Sequence, residues 1–185
     1  VVATAATFEL ARLVILDSTN LQLEEARRRH RHASRAKETS ANGALYSMVD
    51  ALDVIGRFGR AAAYGRPVEL GPGLQATFLD AGHIAGSASI LLEVRENGHT
   101  RSILFSGDIG RPTSDLLNSP EASENINHVI MESTYGGRQH ELEIGSTDHI
   151  CRVINETIER RGKVLIPSFA VERTQQLLFA LHKLH

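Results

Sequence analysis

The chain has 185 residues, of which 42% are hydrophobic and 23% charged, and its formal net charge at pH 7 is -2. This balance argues against a protein that coats nucleic acid, because such proteins carry a visible basic excess. No apolar run is long enough to cross a bilayer, and the single cysteine, Cys151, excludes an internal disulfide. We therefore expect a globular, soluble protein of a reducing, cytoplasmic compartment, with no membrane partner.

The first part of the chain has helical periodicity. Residues 4–31 carry Leu10, Leu13, Val14 and Leu21 on one side, which predicts one helix, or two helices broken near the sequence DSTN. A small, polar loop is expected over 32–46. The sequence SMVD at 47–50 then has the spacing of a capping box and predicts the start of another helix.

The periodicity changes from helix to strand after residue 73. Strands are predicted over 74–80, 88–96, 100–108 and 127–133, and the Asn-Gly pair within ENGH at 96–99 predicts a tight hairpin turn. A helix around Cys151 that ends at Gly162, a buried strand over 163–169 and a helix over 171–184 follow. Cys151 shares the apolar side of its helix and is expected to be buried in the protein core. The order predicts a mixed α/β protein with a domain boundary near residues 140–148.

Three residues with ligand chemistry lie near or just after the ends of predicted strands. His83 follows the first strand, Asp108 ends the third, and Glu132 lies near the end of the fourth. Taken singly, His83 is more often a structural residue, Asp108 a turn former and Glu132 a surface carboxylate. Their similar spacing, however, suggests three loops that converge at one edge. Imidazole and carboxylates are ligands of zinc and other divalent ions.

Four segments carry a resemblance to a known family. They are DAGHIAGSASILLEV, SILFSGDIGR, VIMESTYGGRQH and GKVLIPSFAVERTQQLLFAL. Together they resemble the metallo-β-lactamase-fold nucleases of the β-CASP group, the RNase J-type and cleavage-and-polyadenylation-type enzymes. The resemblance implies part of a metallo-β-lactamase αββα sandwich over residues 1–140 and the start of a β-CASP domain over 141–185.

The resemblance also implies a function and roles for residues. It implies a metal-dependent phosphodiesterase that acts on single-stranded RNA, with DNA not excluded, and that uses two zinc ions, with manganese also open. His83 would be a metal ligand, Asp108 a carboxylate that bridges two metals, and Glu132 an acidic residue that supports the catalytic centre without binding metal. Oligomeric state stays open, a homo-oligomer included.

The sequence departs from the family pattern in one respect. The motif His-x-His-x-Asp-His, which resemblance places before residue 1, and the later β-CASP histidines are absent from the 185 residues. We therefore expect an internal fragment that by itself binds metal poorly and does not cut. The alternatives are a non-catalytic nucleic-acid-binding or scaffold subunit, and a metallo-β-lactamase-fold hydrolase of another ester or amide.

The basic run, the remaining histidines and the glycines have less specific patterns. The basic run at 26–37, ARRRHRHASRAK, suits either phosphate contacts or a solvated helix face, and the second is favoured because Glu24 and Glu25 balance it. Among the remaining histidines, His140 lies closest after Glu132 and is the one to examine. No glycine pattern typical of a nucleotide cofactor opens a helix after a strand.

Overall fold

A computed structural model describes residues 1–36, 43–112, 116–137 and 147–183 of the chain. Helices in these residues are α1 (Ala5–Ala36), α2 (Met48–Gly56), α3 (Thr147–Glu159) and α4 (Arg173–Lys183). Strands are β1 (Ala3–Thr4), β2 (Ala61–Ala62), β3 (Pro67–Gly71), β4 (Leu74–Asp80), β5 (Ala88–Glu96), β6 (His99–Phe105) and β7 (His128–Ile130). The mixed α/β class expected from the sequence is confirmed.

The main sheet has the strand order β3-β4-β5-β6-β7. Its first three pairings are antiparallel, whereas β7 runs parallel to β6. Asn97 and Gly98 connect β5 to β6 with φ angles of 49° and 78°, and both positive values are what a type I′ turn requires. The hairpin predicted from the Asn-Gly pair is therefore confirmed. Strands β1, β2 and β3 were not predicted from the sequence.

One face of the main sheet forms the core. Alternate residues of β4 point to this face, where Ala76 and Phe78 are buried together with Val68 and Ala62. Partly buried apolar side chains pack around them: Val2, Tyr64, Ala88, Ile90 and Leu92. Val2 directly precedes β1, and Ala62 belongs to β2, its parallel partner. The segment that begins α1 is therefore held against the sheet.

Helix α1 is continuous, so the alternative of two helices is wrong. At the suspected break, the Thr19 hydroxyl is fully buried and donates to the Ile15 carbonyl at 2.6 Å, which keeps this polar group satisfied inside the helix. The helix also extends to Ala36, into the predicted loop, and residues 37–42 lie outside the described part. Phe8 stacks on Phe58 with ring centroids 5.0 Å apart.

The apolar side assigned to α1 is only partly correct. Leu10 is half-buried, but Leu13, Val14 and Leu21 are exposed. Besides aliphatic and aromatic residues, the covered side carries several small polar ones; its members are Thr7, Phe8, Leu10, Ala11, Ile15, Leu16, Ser18 and Thr19. Hydropathy alone could not identify this side, because hydroxyl groups that bond to nearby carbonyls pack as readily as aliphatic groups.

Helix α2 begins with the predicted capping box. The Asp50 backbone N–H donates to the Ser47 hydroxyl at 3.2 Å, and the Ser47 N–H donates to the Asp50 carboxylate at 2.7 Å. These contacts satisfy backbone groups that the first helical turn leaves free. The backbone N–H bond and the Ser47 hydroxyl hold the pKa of Asp50 below its ordinary value.

The predicted buried strand at 163–169 is wrong. The segment has no regular secondary structure and is exposed throughout, with Leu165 and Phe169 exposed to 89% and 81%, and no strand in the described ranges pairs with it. An apolar run becomes a strand only when a neighbour completes its backbone hydrogen bonds. Helix α3 ends at Glu159, just before the predicted Gly162, and Cys151 on it is partly exposed, not buried.

The domain boundary stays a prediction. The limit proposed between 1–140 and 141–185 falls in residues 138–146, which lie outside the described ranges, as does His140. None of the helices in the described part combines the length and apolar character needed to cross a lipid bilayer.

Candidate metal and catalytic centre

The direction of the strands brings the three predicted residues to one edge of the sheet. Strands β4 and β6 are both antiparallel to β5, so they run the same way, and β7 is parallel to β6. His83, Asp108 and Glu132 lie two or three positions after the ends of β4, β6 and β7. Their loops therefore leave the sheet at the same edge, where ligand sites of α/β sheets commonly form.

His83 and Asp108 are neighbours. The His83 Nε2 atom lies 3.7 Å from the Asp108 Oδ2 atom, with side-chain exposures of 39% and 74%. The two donor atoms face one another without a direct hydrogen bond, because 3.7 Å exceeds the range of such bonds. The pair can thus accept a third species, and both side chains are reachable from solvent.

The loop that carries His83 is fixed by its own polar groups. The Ser87 hydroxyl accepts the backbone N–H groups of His83 at 3.1 Å and of Ile84 at 3.2 Å. At the start of the loop, the Asp80 carboxylate accepts the Gly82 N–H at 2.9 Å. Gly82 has a φ of 60°, a conformation that favours glycine. These bonds orient the His83 backbone before any ligand binds.

The Asp108 loop packs backbone to backbone against the His83 loop. The Gly110 N–H donates to the Ala81 carbonyl at 2.8 Å. A Cβ atom at Gly110 would overlap the carbonyl oxygen of Gly82, so only glycine allows this approach. The distance between His83 and Asp108 is therefore set by main-chain packing, which is more rigid than contacts between long side chains.

Ser106 connects the Asp108 loop to Glu132. This residue was not predicted from the sequence. Its side chain is buried, with the hydroxyl donating to the Gly107 carbonyl at 2.6 Å and accepting the Glu132 N–H at 3.0 Å. Its backbone carbonyl accepts the Ser89 hydroxyl at 2.7 Å. The signal available in the sequence was a serine directly after an apolar strand and two residues before Asp108.

Glu132 lies near the pair, and its surroundings favour its ionised form. The Thr134 backbone N–H donates to the Glu132 carboxylate at 2.8 Å, and the Thr134 hydroxyl also bonds to it. These bonds are the main reason that the pKa of Glu132 lies below its ordinary value. The Ile109 N–H and the His83 imidazole lower it further. Glu132 thus presents a carboxylate at the same edge, as the three-loop interpretation expected.

Helix α1 begins directly behind the His83 loop. The hydroxyls of Thr4 and Thr7 donate to the Gly86 carbonyl at 2.8 and 2.9 Å, and the Tyr64 hydroxyl donates to the Ser87 carbonyl at 2.9 Å. Burial, with the nearby Asp80 charge, raises the pKa of Tyr64 above its ordinary value, so the phenol stays a donor. The loop is therefore supported from the helix side as well.

The donor chemistry of this edge fits a divalent metal ion. His83 offers an imidazole nitrogen and Asp108 a carboxylate, the ligand pair that suits zinc and also manganese. Within the described ranges, no three histidine, cysteine, aspartate or glutamate side chains are grouped closely enough to enclose an ion. The described residues thus place two side chains with this donor chemistry, His83 and Asp108, next to one another.

Known proteins resemble this chain over most of its length. It is 36% identical over 123 residues to Ribonuclease TTHA0252 of Thermus thermophilus, which covers 66% of the chain and 27% of that ribonuclease. It is 35% identical over 126 residues to the Transcription termination factor FttA of Methanothermobacter thermautotrophicus, covering 65% and 19%. It is 34% identical over 112 residues to Endoribonuclease YSH1 of Saccharomyces cerevisiae, covering 59% and 14%.

The chain is a homologue of the β-CASP metallo-β-lactamase proteins. The resemblance named from the four motifs is thereby confirmed, and so is the α/β fold class. No protein-family model matches the chain. The chain spans about a quarter of the Thermus ribonuclease and less of the other two β-CASP relatives.

Proposed function

We propose that the protein containing this chain is a metal-dependent phosphodiesterase that cuts single-stranded RNA. The observation that carries the proposal is the His83–Asp108 pair, with donor atoms 3.7 Å apart and open to solvent. Support also comes from the relatives, two of which are named as ribonucleases.

The chain's residues have separate roles in this proposal. His83 and Asp108 would hold the metal, with Asp108 as the carboxylate of the bridging role. Bound zinc or manganese would activate water to hydroxide and neutralise charge on the phosphate. Glu132 holds a negative charge beside His83, and Ser106 and Gly110 fix the spacing between the loops that carry these side chains.

Cleavage by the longer protein tests the catalytic part. We expect Asp108→Ala to abolish cleavage of a single-stranded RNA while the fold is retained, because a metal-bridging ligand is lost. Asp53→Ala is the matched control, since Asp53 is an exposed carboxylate on α2 away from the sheet edge. Unchanged cleavage in the Asp108 variant would rule out the bridging role.

Metal binding by the 185-residue chain tests the ligand assignment without any activity. We expect Zn²⁺ to shift the ring resonances of His83 before those of His99, an exposed histidine on the β5–β6 hairpin. Binding should be weak, because two donors do not enclose an ion. A shift of both histidines at the same Zn²⁺ concentration would contradict the assignment, and so would tight two-metal binding with RNA cleavage by this chain.

A further inference from the structure

The second half of α1 leaves the rest of the fold. In the described residues, the middle of this helix is held by the Ser18 hydroxyl, 2.7 Å from the Tyr46 hydroxyl, and by Gln22, whose side chain accepts the Leu45 N–H at 3.1 Å. Between Leu23 and His32 only Ala26 is partly covered, and residues 27–32 are exposed on every side of the helix. We name residues 27–32 the arginine arm.

The arginine arm concentrates positive charge, and neighbouring carboxylates neutralise only part of it. Its sequence is RRRHRH, so it carries four arginines within six residues, although the whole chain has a net charge of -2. Arg29 pairs with Glu25 at 3.8 Å. Arg27, Arg28 and Arg31 form no ion pair with any residue in the described ranges. Three guanidinium groups, fixed to a helix, are therefore available to an external anion.

The composition of the arm selects among anionic partners. A helix that inserts into a membrane surface has an apolar face opposite its charges, and the centre of a protein interface is typically depleted of charged residues. All six residues of the arm are arginine or histidine and surround the helix, so the arm has neither feature. This composition favours a partner bound by charge and guanidinium hydrogen bonds, and a phosphate chain has that chemistry.

Helix α1 extends from the His83 loop at the sheet edge to the arginine arm. Thr7, near the start of α1, contacts the His83 loop through the Gly86 carbonyl. Arg27 lies 20 residues further, about 30 Å along the axis at the 1.5 Å rise of an α-helix. A single strand of nucleic acid that contacts both places must therefore span about 30 Å.

We propose that the arginine arm is a second contact for single-stranded nucleic acid, which binds the phosphate backbone at a distance from the His83–Asp108 pair. The proposal deepens the proposed function and rests on it for the link to cleavage. Binding by the arginine arm does not require cleavage, so a result that contradicts one of the two proposals does not contradict the other.

The test is the salt dependence of binding. The 185-residue chain is titrated against a fluorescent oligouridine of about 20 nucleotides in EDTA, which removes divalent ions, at several salt concentrations. Each phosphate contact on a single strand adds about 0.7 to the slope of log affinity against log salt. We therefore expect Arg27→Gln, Arg28→Gln and Arg31→Gln together to reduce that slope by about 2.

Two further variants control for charge and for folding. Arg60→Gln, Arg66→Gln and Arg101→Gln together remove the same charge from exposed positions outside the arm and should change the slope by less than half as much. Replacement of the three arm residues by lysine keeps the charge and should keep the slope. Circular dichroism should show an unchanged helix signal in all of them.

Three results would overturn the proposal: no binding of the oligouridine by the unmodified chain, equal reductions in the arm and control variants, or no reduction in the arm variant. If oligouridine binding is unaffected while a polyglutamate peptide binds through the arm, the partner is an acidic protein and the proposal is wrong. Because cleavage is not measured, an absence of nuclease activity leaves this conclusion in place.

Discussion

Gly110 sets how closely the His83 and Asp108 loops approach. A Cβ atom there would overlap the Gly82 carbonyl oxygen, so the backbone of one loop must move. We expect Gly110→Ala to lower the free energy of unfolding by about 1–3 kcal/mol, the usual cost of overpacking. Urea unfolding of the 185-residue chain measures the change.

Gly43→Ala is the matched control for this substitution. Among the residues that the structure describes, a Cβ atom at Gly43 meets nothing within 4 Å, so its effect should stay within about 0.5 kcal/mol. Equal stability of the Gly110 and Gly43 variants would show that the loops have room to separate, and that main-chain packing does not set their distance.

The sequence could identify His83, Asp108 and Glu132 but not the residues that hold them. The three were recognisable because each follows a strand, and strand direction then brings them to one edge. Ser106 bonds to the Glu132 N–H from 26 positions away, and a contact between distant segments has no local pattern. Similarly, Gly110 resembles an ordinary turn glycine until its neighbour, Gly82, is seen.

The capping box of α2 gives a prediction at the level of a single element. We expect Ser47→Ala to lower the free energy of unfolding by about 1 kcal/mol, because the side-chain acceptor for the Asp50 N–H is lost. Asp53→Asn, further along the same helix and outside the cap, should stay within about 0.5 kcal/mol. Thermal unfolding compares the two variants with the unmodified chain.

The same cap is expected to be sensitive to acid. The folded-state pKa of Asp50 is lowered, so its ionised form stabilises the fold above its unfolded pKa, and this contribution is lost as the pH falls through the folded value. The difference between Ser47→Ala and the unmodified chain should therefore shrink on acidification. A difference that is constant with pH would show that the carboxylate takes no part in the cap.

Elements were predictable from the sequence where local chemistry was sufficient. The Asn-Gly turn and the Ser47 cap depend on residues within four positions of each other, and both are confirmed. The strand at 163–169 depended on a neighbour that sequence periodicity cannot supply, and it is wrong. Helix α1 passed the suspected break at DSTN because Thr19 bonds within its own helix.

The whole chain combines a closely paired sheet with a final part that buries little. Strands β4 and β5 pair along seven positions, and β5 and β6 along another seven, around the buried Ala76 and Phe78. Helix α4 contains no buried residue, and the segment before it is exposed. Local stability follows buried apolar contact, so these two parts should open independently.

Amide hydrogen exchange of the 185-residue chain measures this difference. We expect the central amides of β5 to exchange at least about 100-fold more slowly than those of α4, because opening α4 exposes little new apolar surface. The amides of 163–169 should exchange fastest, since no described strand pairs with them. Equal protection of α4 and β5 would mean that both unfold in one cooperative step, and that the sheet edge with His83 and Asp108 depends on the final helices for its stability.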